Sequence, residues 1–456
     1  MATLDSSIVN IALPTLTKEM GPDLPRVKWV VISYLLGITA LLLPFGRLSD
    51  QYGRKRVFRS GFLVFAFGSL LCGLASGLPS LVVARVIQAI GAAMLMANGP
   101  AIITSVFPIN ERGKALGNLS MVVSAGLILG PSLGGFLISL AGWRSIFIVN
   151  VPIGILGSFL VQHFLEDDQA APKRVPFDWL GAILQSIFLV SFVMLFDPPD
   201  LAIGKAIPFS SYRLLFLFIT FLVGVWFIRI ESKVLTPIFD LSLLRDRTFW
   251  SGNLAAFLLF VAYSSVTVLM PFFMEGVLRL PAHRSGLLMT AVPIAILIVA
   301  PVAGRLSDRF GSKGLSFFGA MIGAITLFAM AGVLNAGLSE SVSSGFLVLV
   351  LLLMGAALGL FQSPNNSAIM SSVEIEKLGV ASAFLATVRN LGWVTGTGLS
   401  TTVFAWRYQV SDDFLSALHF TFACAGGFAV LSMGSALLKK KLPRTSDECA
   451  DTGNEA

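Results

Sequence analysis

The chain has 456 residues, of which 55% are hydrophobic and only 12% are charged, against roughly 25% charged residues in a soluble domain. Apolar runs of about 20 residues follow one another with short polar breaks, which excludes an ordinary soluble protein and indicates an integral membrane protein. The net charge of +7 comes from basic residues between these runs, so orientation in the membrane explains it better than nucleic-acid binding.

The apolar runs predict fourteen transmembrane helices. They lie near 2–17, 28–48, 57–76, 79–106, 115–140, 145–164, 179–197, 210–230, 249–274, 284–303, 315–335, 344–370, 378–405 and 415–438. Most of the 32 lysines and arginines then lie in segments on the same side as both chain ends. Because basic residues favour the cytoplasmic side, both termini are predicted to be cytoplasmic.

A short polar motif occurs twice, as Gly46–Lys55 and as Gly304–Lys313, at an offset of 258 residues. At roughly 32 residues per helix and turn, this offset corresponds to about eight helices, whereas a plain duplication of six helices would give six. The fold class is therefore predicted to be an all-α polytopic membrane protein. Two related six-helix bundles would have two additional helices between them, and such duplicated bundles are typical of secondary transporters.

The predicted boundaries follow from this count. Residues 1–165 form an N-terminal six-helix bundle, 166–248 a linker and two additional helices, 249–440 a C-terminal six-helix bundle, and 441–456 a polar cytoplasmic tail.

Chemistry-bearing residues are few and scattered. The cysteines and histidines are Cys72, Cys424, Cys449, His163, His283 and His419. Their spacing indicates neither a disulfide framework nor a metal site, and no cofactor loop or paired carboxylates stand out. An enzyme is therefore disfavoured, and we expect no metal and no cofactor.

Four segments occur in a fixed order: Leu4–Pro14, Gly46–Arg56, Arg85–Gly91 and Gly126–Gly135. They resemble the first-helix motif, the loop motif after helix 2, the helix 4 motif and the antiporter motif of the major facilitator superfamily, in particular its 14-helix drug:proton antiporter branch. The resemblance implies a major facilitator fold with alternating access between the bundles. It also implies a transporter of the inner (plasma) membrane that exports small amphiphilic compounds and uses the proton gradient as its energy source.

The resemblance implies a conformational latch in the repeated motif. Its residues are Gly46, Asp50, Gly53, Arg54, Lys55, Gly304, Asp308 and Gly311. Asp50 would brace one half against the other in the outward-open state, and Asp308 would supply a weaker version because Ser312 stands where the first copy has Arg54. From the residues alone, glycines allow a sharp turn and Asp50 can pair with Arg54. The alternative is a basic turn that serves topology only.

Asp5 is the one carboxylate predicted to lie well inside a span, where a bare charge costs several kcal/mol unless it pairs, hydrates or protonates. Proton coupling by Asp5, tuned by Arg85 on helix 4, is the functional interpretation. From the assumed external ends, Asp5 lies about 18 Å deep and Arg85 about 9 Å deep, so their contact needs a long side chain or helix tilt. A permanent structural ion pair is the alternative.

The antiporter motif contributes Gly126, Gly130, Pro131, Gly134 and Gly135. Three of these glycines recur every fourth residue and form one smooth face, and Pro131 can bend the helix. The resemblance implies that this face meets helix 10 and seals the cavity on one side. Tight packing without a role in transport is the alternative.

Polar residues inside other spans are candidates for the substrate cavity. They are Asn10, Gln88, Asn98, Asn365, Arg389 and Asn390. Most polar residues of this kind join helices to one another, so we expect only one or two to contact substrate. No acid on helix 10 or helix 13 is available for a cationic compound, which favours neutral or anionic amphiphiles.

Three other functions remain open at this point: an importer, a dedicated metabolite exporter of the same fold, and a non-transporting membrane sensor or scaffold. Only Met1 to Leu4 precede Asp5, whereas the resemblance implies a further turn or more, so a missing N-terminal segment is expected. The expected partners are the lipid bilayer, an amphiphilic small molecule and protons, without nucleic acid, and the protein is expected to be a monomer.

Overall fold

The computed structural model describes residues 1–21, 24–106, 109–166, 177–196, 209–234, 240–333, 340–374 and 377–439. Most of the predicted linker at 166–176 and the whole predicted tail at 441–456 lie outside these residues. The helices in the described ranges are α1 (Ala2–Met20), α2 (Leu24–Val27), α3 (Trp29–Tyr52), α4 (Arg54–Gly73), α5 (Leu78–Val106), α6 (Ile109–Ala141), α7 (Ser145–Ile148), α8 (Asn150–Phe164), α9 (Trp179–Phe196), α10 (Phe209–Glu231), α11 (Arg247–Phe272), α12 (Ala282–Met289), α13 (Ala291–Phe310), α14 (Ser312–Val333), α15 (Glu340–Ser371), α16 (Leu378–Ser411) and α17 (Phe414–Leu437).

The fold class predicted from the sequence is confirmed. Eleven helical segments in the described ranges are long and apolar enough to cross a membrane. With α1, α6 and α16, whose helical lengths also suffice at 1.5 Å per residue, they account for the fourteen predicted spans. Two of the spans are interrupted: α7 and α8 share one, and α12 and α13 share another. Pro152 explains the first break, because proline has no N–H to donate to the carbonyl of Ile148.

The ends of several helices differ from the prediction. Residues 49–56 were expected to form a loop, yet α3 continues to Tyr52 and α4 begins at Arg54. Gly53 alone makes the turn, at φ 96° and ψ 129°. Gly311 makes the equivalent turn between α13 and α14, at φ 84° and ψ 150°. Both φ values are strained for a residue with a Cβ atom. Glycine at these positions therefore explains how a single residue can make the turn in each copy of the repeated motif.

Other helix ends have conventional caps. Asp246 accepts a hydrogen bond from the backbone N–H of Phe249 at 2.8 Å, and Asp413 accepts from the N–H groups of Leu415 and Ser416. These carboxylates satisfy donors that the first turns of α11 and α17 cannot satisfy internally. Gly21 ends α1 in the left-handed conformation, so α1 extends three residues beyond its predicted end.

The helices pack as two groups. Close packing joins α1 with α6, α3 with α5, and α4 with both α5 and α8, and a second set joins α11 with α16 and α17, α13 with α15, and α14 with α17. Helices α9 and α10 pack on each other, and α9 also contacts α3 and α16. Of the two additional helices, α9 therefore borders both groups. The division into domains at the predicted residue numbers stays a prediction.

Several contacts between the two groups lie at the end of the molecule where α1 terminates. There α6 packs on α12 and on the start of α13, and α1 packs on α11 and α12. At the same end, the buried Lys28 donates a hydrogen bond from Nζ to Thr402 Oγ1 at 3.3 Å. These contacts join the two groups at the end that the sequence predicts to be external.

Candidate functional site

Asp5 and Arg85 form a buried ion pair in the first group of helices. Asp5 lies in the first turn of α1 and Arg85 lies in α5, and their side chains are 1% and 0% exposed. Arg85 Nη1 donates to Asp5 Oδ2 at 2.5 Å. Asp5 and Arg85 are therefore in contact despite the depth difference estimated from the sequence.

The second carboxylate oxygen of Asp5 accepts two further hydrogen bonds. Gln88 Nε2, one turn after Arg85 on α5, donates to Asp5 Oδ1 at 2.9 Å. Asn150 Nδ2, at the start of α8, donates to the same oxygen at 2.9 Å. Both amides are fully buried. Together with Arg85, they supply three donors to the ionised carboxylate, which is the arrangement that stabilises its charged form.

Arg85 is held from several sides. Its Nε donates to the carbonyl of Val30 at 2.9 Å, and its Nη1 also donates to Gln88 Oε1 at 2.5 Å. The guanidinium carbon lies 3.8 Å from the ring centroid of Tyr34, a cation–π contact. The Tyr34 hydroxyl in turn donates to the carbonyl of Ala2 at 3.1 Å. Arg85 thus ties α5 to α3 and, through Tyr34, to the first turn of α1.

Four members of this cluster were not predicted as site residues from the sequence. They are Tyr34, Ser69, Cys72 and Asn150, which contact Asp5, Arg85 or Gln88. The sequence signal for Asn150 is its position as a polar residue in an apolar span, directly before a valine–proline step. A polar amide there indicates a buried partner but does not identify it.

The predicted antiporter glycines pack on two helices rather than one. A Cβ atom on Gly130 would lie 2.6 Å from Ser7 Cβ, and one on Gly134 would lie 3.1 Å from Ile8 Cγ2. Gly126 likewise faces Thr3 and Leu4. The expectation that the face of Gly126, Gly130 and Gly134 meets helix 10 is therefore wrong, since this face packs on α1.

The neighbouring stripe of α6 makes the contact with helix 10, which is α12 and α13. A Cβ atom on Gly135 would lie 2.4 Å from the carbonyl oxygen of Ala282, and one on Gly286 would lie 2.1 Å from that of Pro131. Ser132 Oγ and Thr290 Oγ1 are hydrogen-bonded at 2.6 Å. Successive helical residues are about 100° apart, so Pro131 and Gly135 face away from the stripe that covers α1.

The predicted latch is only partly within the described residues. The side chains of Asp50 and Asp308 lie outside them, so the predicted pairing of Asp50 with Arg54 is not described. Arg54 Nη1 donates to the carbonyl of Ala101 on α5 at 2.8 Å, and Lys55 is 8% exposed. A Cβ atom on Gly304 would lie 3.0 Å from Ser363 Oγ, whereas one on Gly46 would meet no atom of the described residues within 4 Å.

The predicted cavity residues divide into two sets by exposure. Gln88 belongs to the Asp5 cluster, and Asn98 and Asn365 donate to the backbone carbonyls of Met94 and Gly252. All three amides are fully buried. Gln88 and Asn365 join helices, whereas Asn98 bonds within α5, and a role in the cavity stays a prediction for all three. Asn10 is buried too, at 5% exposure, without a described hydrogen-bond partner for its Oδ1.

Arg389 and Asn390 in α16 form the second set, because both are half-buried. Within the described ranges, Arg389 makes no hydrogen bond and no ion pair with another residue. A half-buried cation in the middle of a spanning helix marks a polar path through the protein by default. Arg389 therefore remains the strongest of the predicted cavity residues.

Two buried carboxylates were missed in the sequence, Glu231 at the end of α10 and Glu275 after α11. Glu275 lies in a π-helical turn, Phe273–Val277, that extends α11, and it is 8% exposed. The exposed Lys18 at the end of α1 acts on it electrostatically. The π-turn continues the spanning segment past its predicted end at 274, which explains why Glu275 was not recognised as part of it.

Two charged groups outside the spanning segments have shifted pKa values. The hydrogen bond from Lys377, which lies 2.9 Å away, lowers the pKa of Asp240 to about 2. Burial lowers the pKa of Lys439, just after α17, to about 7. Lys439 Nζ donates to Ser316 Oγ at 3.0 Å and lies 5.8 Å from the ring centroid of Phe361, so this lysine joins α17 to α14 and α15.

Comparison with known proteins identifies the family. A family model described as Major Facilitator Superfamily matches residues 1–397. The riboflavin transporter RibZ of Clostridioides difficile (strain 630) is 36% identical over 418 residues, covering 91% of this chain and 88% of the relative. The multidrug resistance protein Stp of Mycobacterium tuberculosis (strain CDC 1551 / Oshkosh) is 31% identical over 409 residues, covering 89% of this chain and 74% of the relative.

A solved structure has the same fold. The bacterial homolog of the human lysosomal transporter Spinster, in an inward-facing and occupied conformation, superposes with a TM-score of 0.67 at 16% identity, covering 96% of this chain and 93% of that one. These relatives are transporters rather than enzymes, as predicted from the sequence. The chain therefore belongs to the major facilitator superfamily, within its multidrug-type branch.

Proposed function

We propose that the protein is a proton-coupled secondary transporter of the inner (plasma) membrane that exports small amphiphilic compounds. Access to the substrate would alternate between the bundles at 1–165 and 249–440, which are joined by 166–248. The buried pair of Asp5 and Arg85 is the observation that carries the proposal. A carboxylate inside a membrane protein is costly to retain and marks proton or ion pathways by default.

The chemistry of the pair explains how a proton could drive the cycle. Ionised Asp5 is stabilised by Arg85, Gln88 and Asn150. Protonation removes the negative charge, so the attraction to Arg85 falls and α1 is held less firmly to α5 and α8. A state in which these helices are further apart then becomes more accessible. Proton binding and the change of access are linked because the same contacts stabilise both the charge and the helix arrangement.

Several contacts between the two groups support an inward-facing state. Contacts between α6 and α12, together with the contact of Lys28 with Thr402, join the two groups at the end predicted to be external, which would then be closed. In this state the proposed latch around Gly53 and Gly311 would be open, and it would close on the cytoplasmic side in the outward-facing state. Pro131 and Gly135 of the antiporter motif, which contact α12, would hold the external seal during proton release to the cytoplasm.

The substrate class is argued from Arg389. A half-buried guanidinium without an acidic partner in the described ranges favours neutral or anionic compounds. The 37 phenylalanines of the chain suit an apolar cavity, and the similarity to Stp supports a broad range of amphiphiles. Asn390, the other half-buried candidate, would supply a hydrogen bond at the same level of α16.

Flavin transport is a second candidate, because the chain is 36% identical to the riboflavin transporter RibZ over most of both chains. Riboflavin is a neutral, planar and partly apolar compound, which agrees with the substrate class argued from Arg389. This candidate differs from the export of many amphiphiles in breadth, and flavin uptake, the importer alternative, would also differ in direction.

Transport into everted membrane vesicles tests the proposal. The probes are riboflavin and a panel of fluorescent neutral, anionic and cationic amphiphiles, with the vesicle interior acidified. We expect accumulation by the wild type, none by Asp5→Asn, and normal accumulation by Asp240→Asn, a control with the same chemical change outside the membrane. Accumulation that persists in Asp5→Asn refutes proton coupling at Asp5. Riboflavin entry into intact cells without accumulation in everted vesicles favours the second candidate.

A further inference from the structure

We infer that Asn150 is a positioning residue that holds Asp5 in both of its protonation states, by turning its side-chain amide from donor to acceptor when the proton arrives. The inference rests on the proposed function, because it concerns the same carboxylate. It assigns a role to α8, which the sequence motifs did not connect with Asp5.

The position of the proton follows from the hydrogen bonds of the carboxylate. Asp5 Oδ2 faces Arg85 Nη1, which can only donate. A proton on Oδ2 would therefore meet another donor, whereas a proton on Oδ1 would meet the amides of Gln88 and Asn150. An amide can accept a hydrogen bond if its oxygen faces the acid. The neutral acid thus needs one of these two amides to turn.

Gln88 is not free to turn. Its Oε1 accepts from Arg85 Nη1 at 2.5 Å and from Cys72 Sγ at 3.7 Å, while its Nε2 also donates to Ser69 Oγ at 2.7 Å. Exchanging its two ends would place an NH₂ group against the guanidinium of Arg85. Two donors would then face each other beside a positive charge, which is strongly unfavourable.

Asn150 is free to turn. Its Oδ1 is buried and has no hydrogen-bond partner among the residues that the structure describes. Apart from Asp5, the only described hydrogen-bond acceptor of its Nδ2 is the carbonyl of Ile146, at 3.4 Å, near the long limit of a hydrogen bond. A rotation of its amide therefore gives up this weak contact together with the hydrogen bond to Asp5 Oδ1, an oxygen that the arriving proton turns into a donor. In return, the unpaired oxygen comes to the place where the protonated acid needs an acceptor.

The charged and titratable groups around Asp5 leave this role to Asn150. Arg85 on α5 can only donate, and Tyr34 on α3 already donates to the carbonyl of Ala2. Cys72 on α4 contacts Gln88 rather than Asp5, and the amino group of Met1 on α1 acts on Asp5 electrostatically. None of these groups offers an unpaired oxygen to a proton on Oδ1.

Infrared spectroscopy of the purified protein tests the inference without a substrate. The probe is the carbonyl stretch of the protonated Asp5 carboxyl, identified as the band that Asp5→Asn removes, and the measurement is its intensity and frequency as a function of pH. Asn150→Leu keeps a similar side-chain volume but can neither donate nor accept. We expect two changes in this variant. The pH midpoint rises by about one unit, because the ionised form loses a stronger hydrogen bond than the acid does. The band also moves to higher frequency, because the acid loses its acceptor.

Asn253→Leu is the matched control. Asn253 is a buried asparagine on α11 that donates to the carbonyl four residues earlier and has an unpaired Oδ1 among the described residues. It has the local contacts of Asn150 without the contact to Asp5, so its replacement should leave midpoint and frequency unchanged. If Asn150→Leu does not fold, Asn150→Ala carries the same test.

The outcomes separate this inference from the proposed function. A band that titrates and is lost in Asp5→Asn, but has the same midpoint and frequency in Asn150→Leu, overturns the role of Asn150 and leaves proton coupling intact. If no band titrates over the working pH range, the proposed function itself fails.

Discussion

Gly286 on α12 offers a direct way to change which side of the protein is open. A Cβ atom at this position would lie 2.1 Å from the carbonyl oxygen of Pro131, about 1.4 Å closer than an ordinary contact of about 3.5 Å. The atom in the way belongs to the backbone of α6, so no side-chain rotation relieves the clash. Gly286→Ala therefore requires α6 and α12 to separate at the closed end.

The expected magnitude follows from the cost of overpacking, which is typically about 1–3 kcal/mol. The strain exists only in the state where α6 and α12 touch. The ratio of inward-facing to outward-facing protein should therefore fall by about 5-fold to 150-fold. Gly332→Ala is the control, since a Cβ atom at Gly332 on α14 meets no described atom within 4 Å.

Hydrogen–deuterium exchange measured by mass spectrometry checks this prediction. Backbone amides in 131–141 and 282–290 should exchange faster in Gly286→Ala than in the wild type or in Gly332→Ala, because the contact that protects them opens. Equal exchange in all three proteins, with equal thermal midpoints, would refute the reasoning. The packing of α6 on α12 would then not be what holds this end closed.

Two further predictions concern buried charges. Arg85→Leu should lower the thermal midpoint of the purified protein, because losing one partner of a buried ion pair costs about 3–5 kcal/mol. Asp5→Asn combined with Arg85→Leu should recover part of this loss. A double variant that is no more stable than Arg85→Leu alone would contradict the prediction. Lys439→Met should stabilise the protein more at about pH 6 than at about pH 9, because burial lowers the pKa of Lys439 to about 7 and its charged form therefore opposes folding at the lower pH. A thermal-midpoint difference that is the same at both pH values would show that the ammonium group is not destabilised.

The sequence was sufficient for the fold because its signals are local. Each apolar run is long enough to span a bilayer by itself, and the repeat of Gly46–Lys55 at Gly304–Lys313 gives the number of helices between the two halves without knowledge of their packing. The single-residue turns were missed because polar residues around Gly53 read as a loop. The same polar residues are compatible with a loop of several residues and with two helices joined by one glycine at positive φ, so the sequence does not distinguish the two structures.

The site was predicted only where a residue is unusual in its own span. Asp5 and Arg85 are charges inside apolar runs, and the structure brings them together. Asn150 was missed because its partner lies 145 residues earlier in the chain, and no local pattern encodes which helices become neighbours. The same reason explains the glycines of α6, since their spacing indicates a smooth face but not which helix covers it.

The turns at Gly53 and Gly311 have a consequence for how the molecule can move. One residue joins α3 to α4, and one residue joins α13 to α14, so the members of each pair cannot slide or splay where they meet. The adjoining ends of each pair therefore stay together when the molecule moves, at equivalent places in the two repeats. A change in the angle between the helices of a pair must use the backbone torsions around Gly53 or Gly311, and a side chain introduced at either glycine would strain the backbone there.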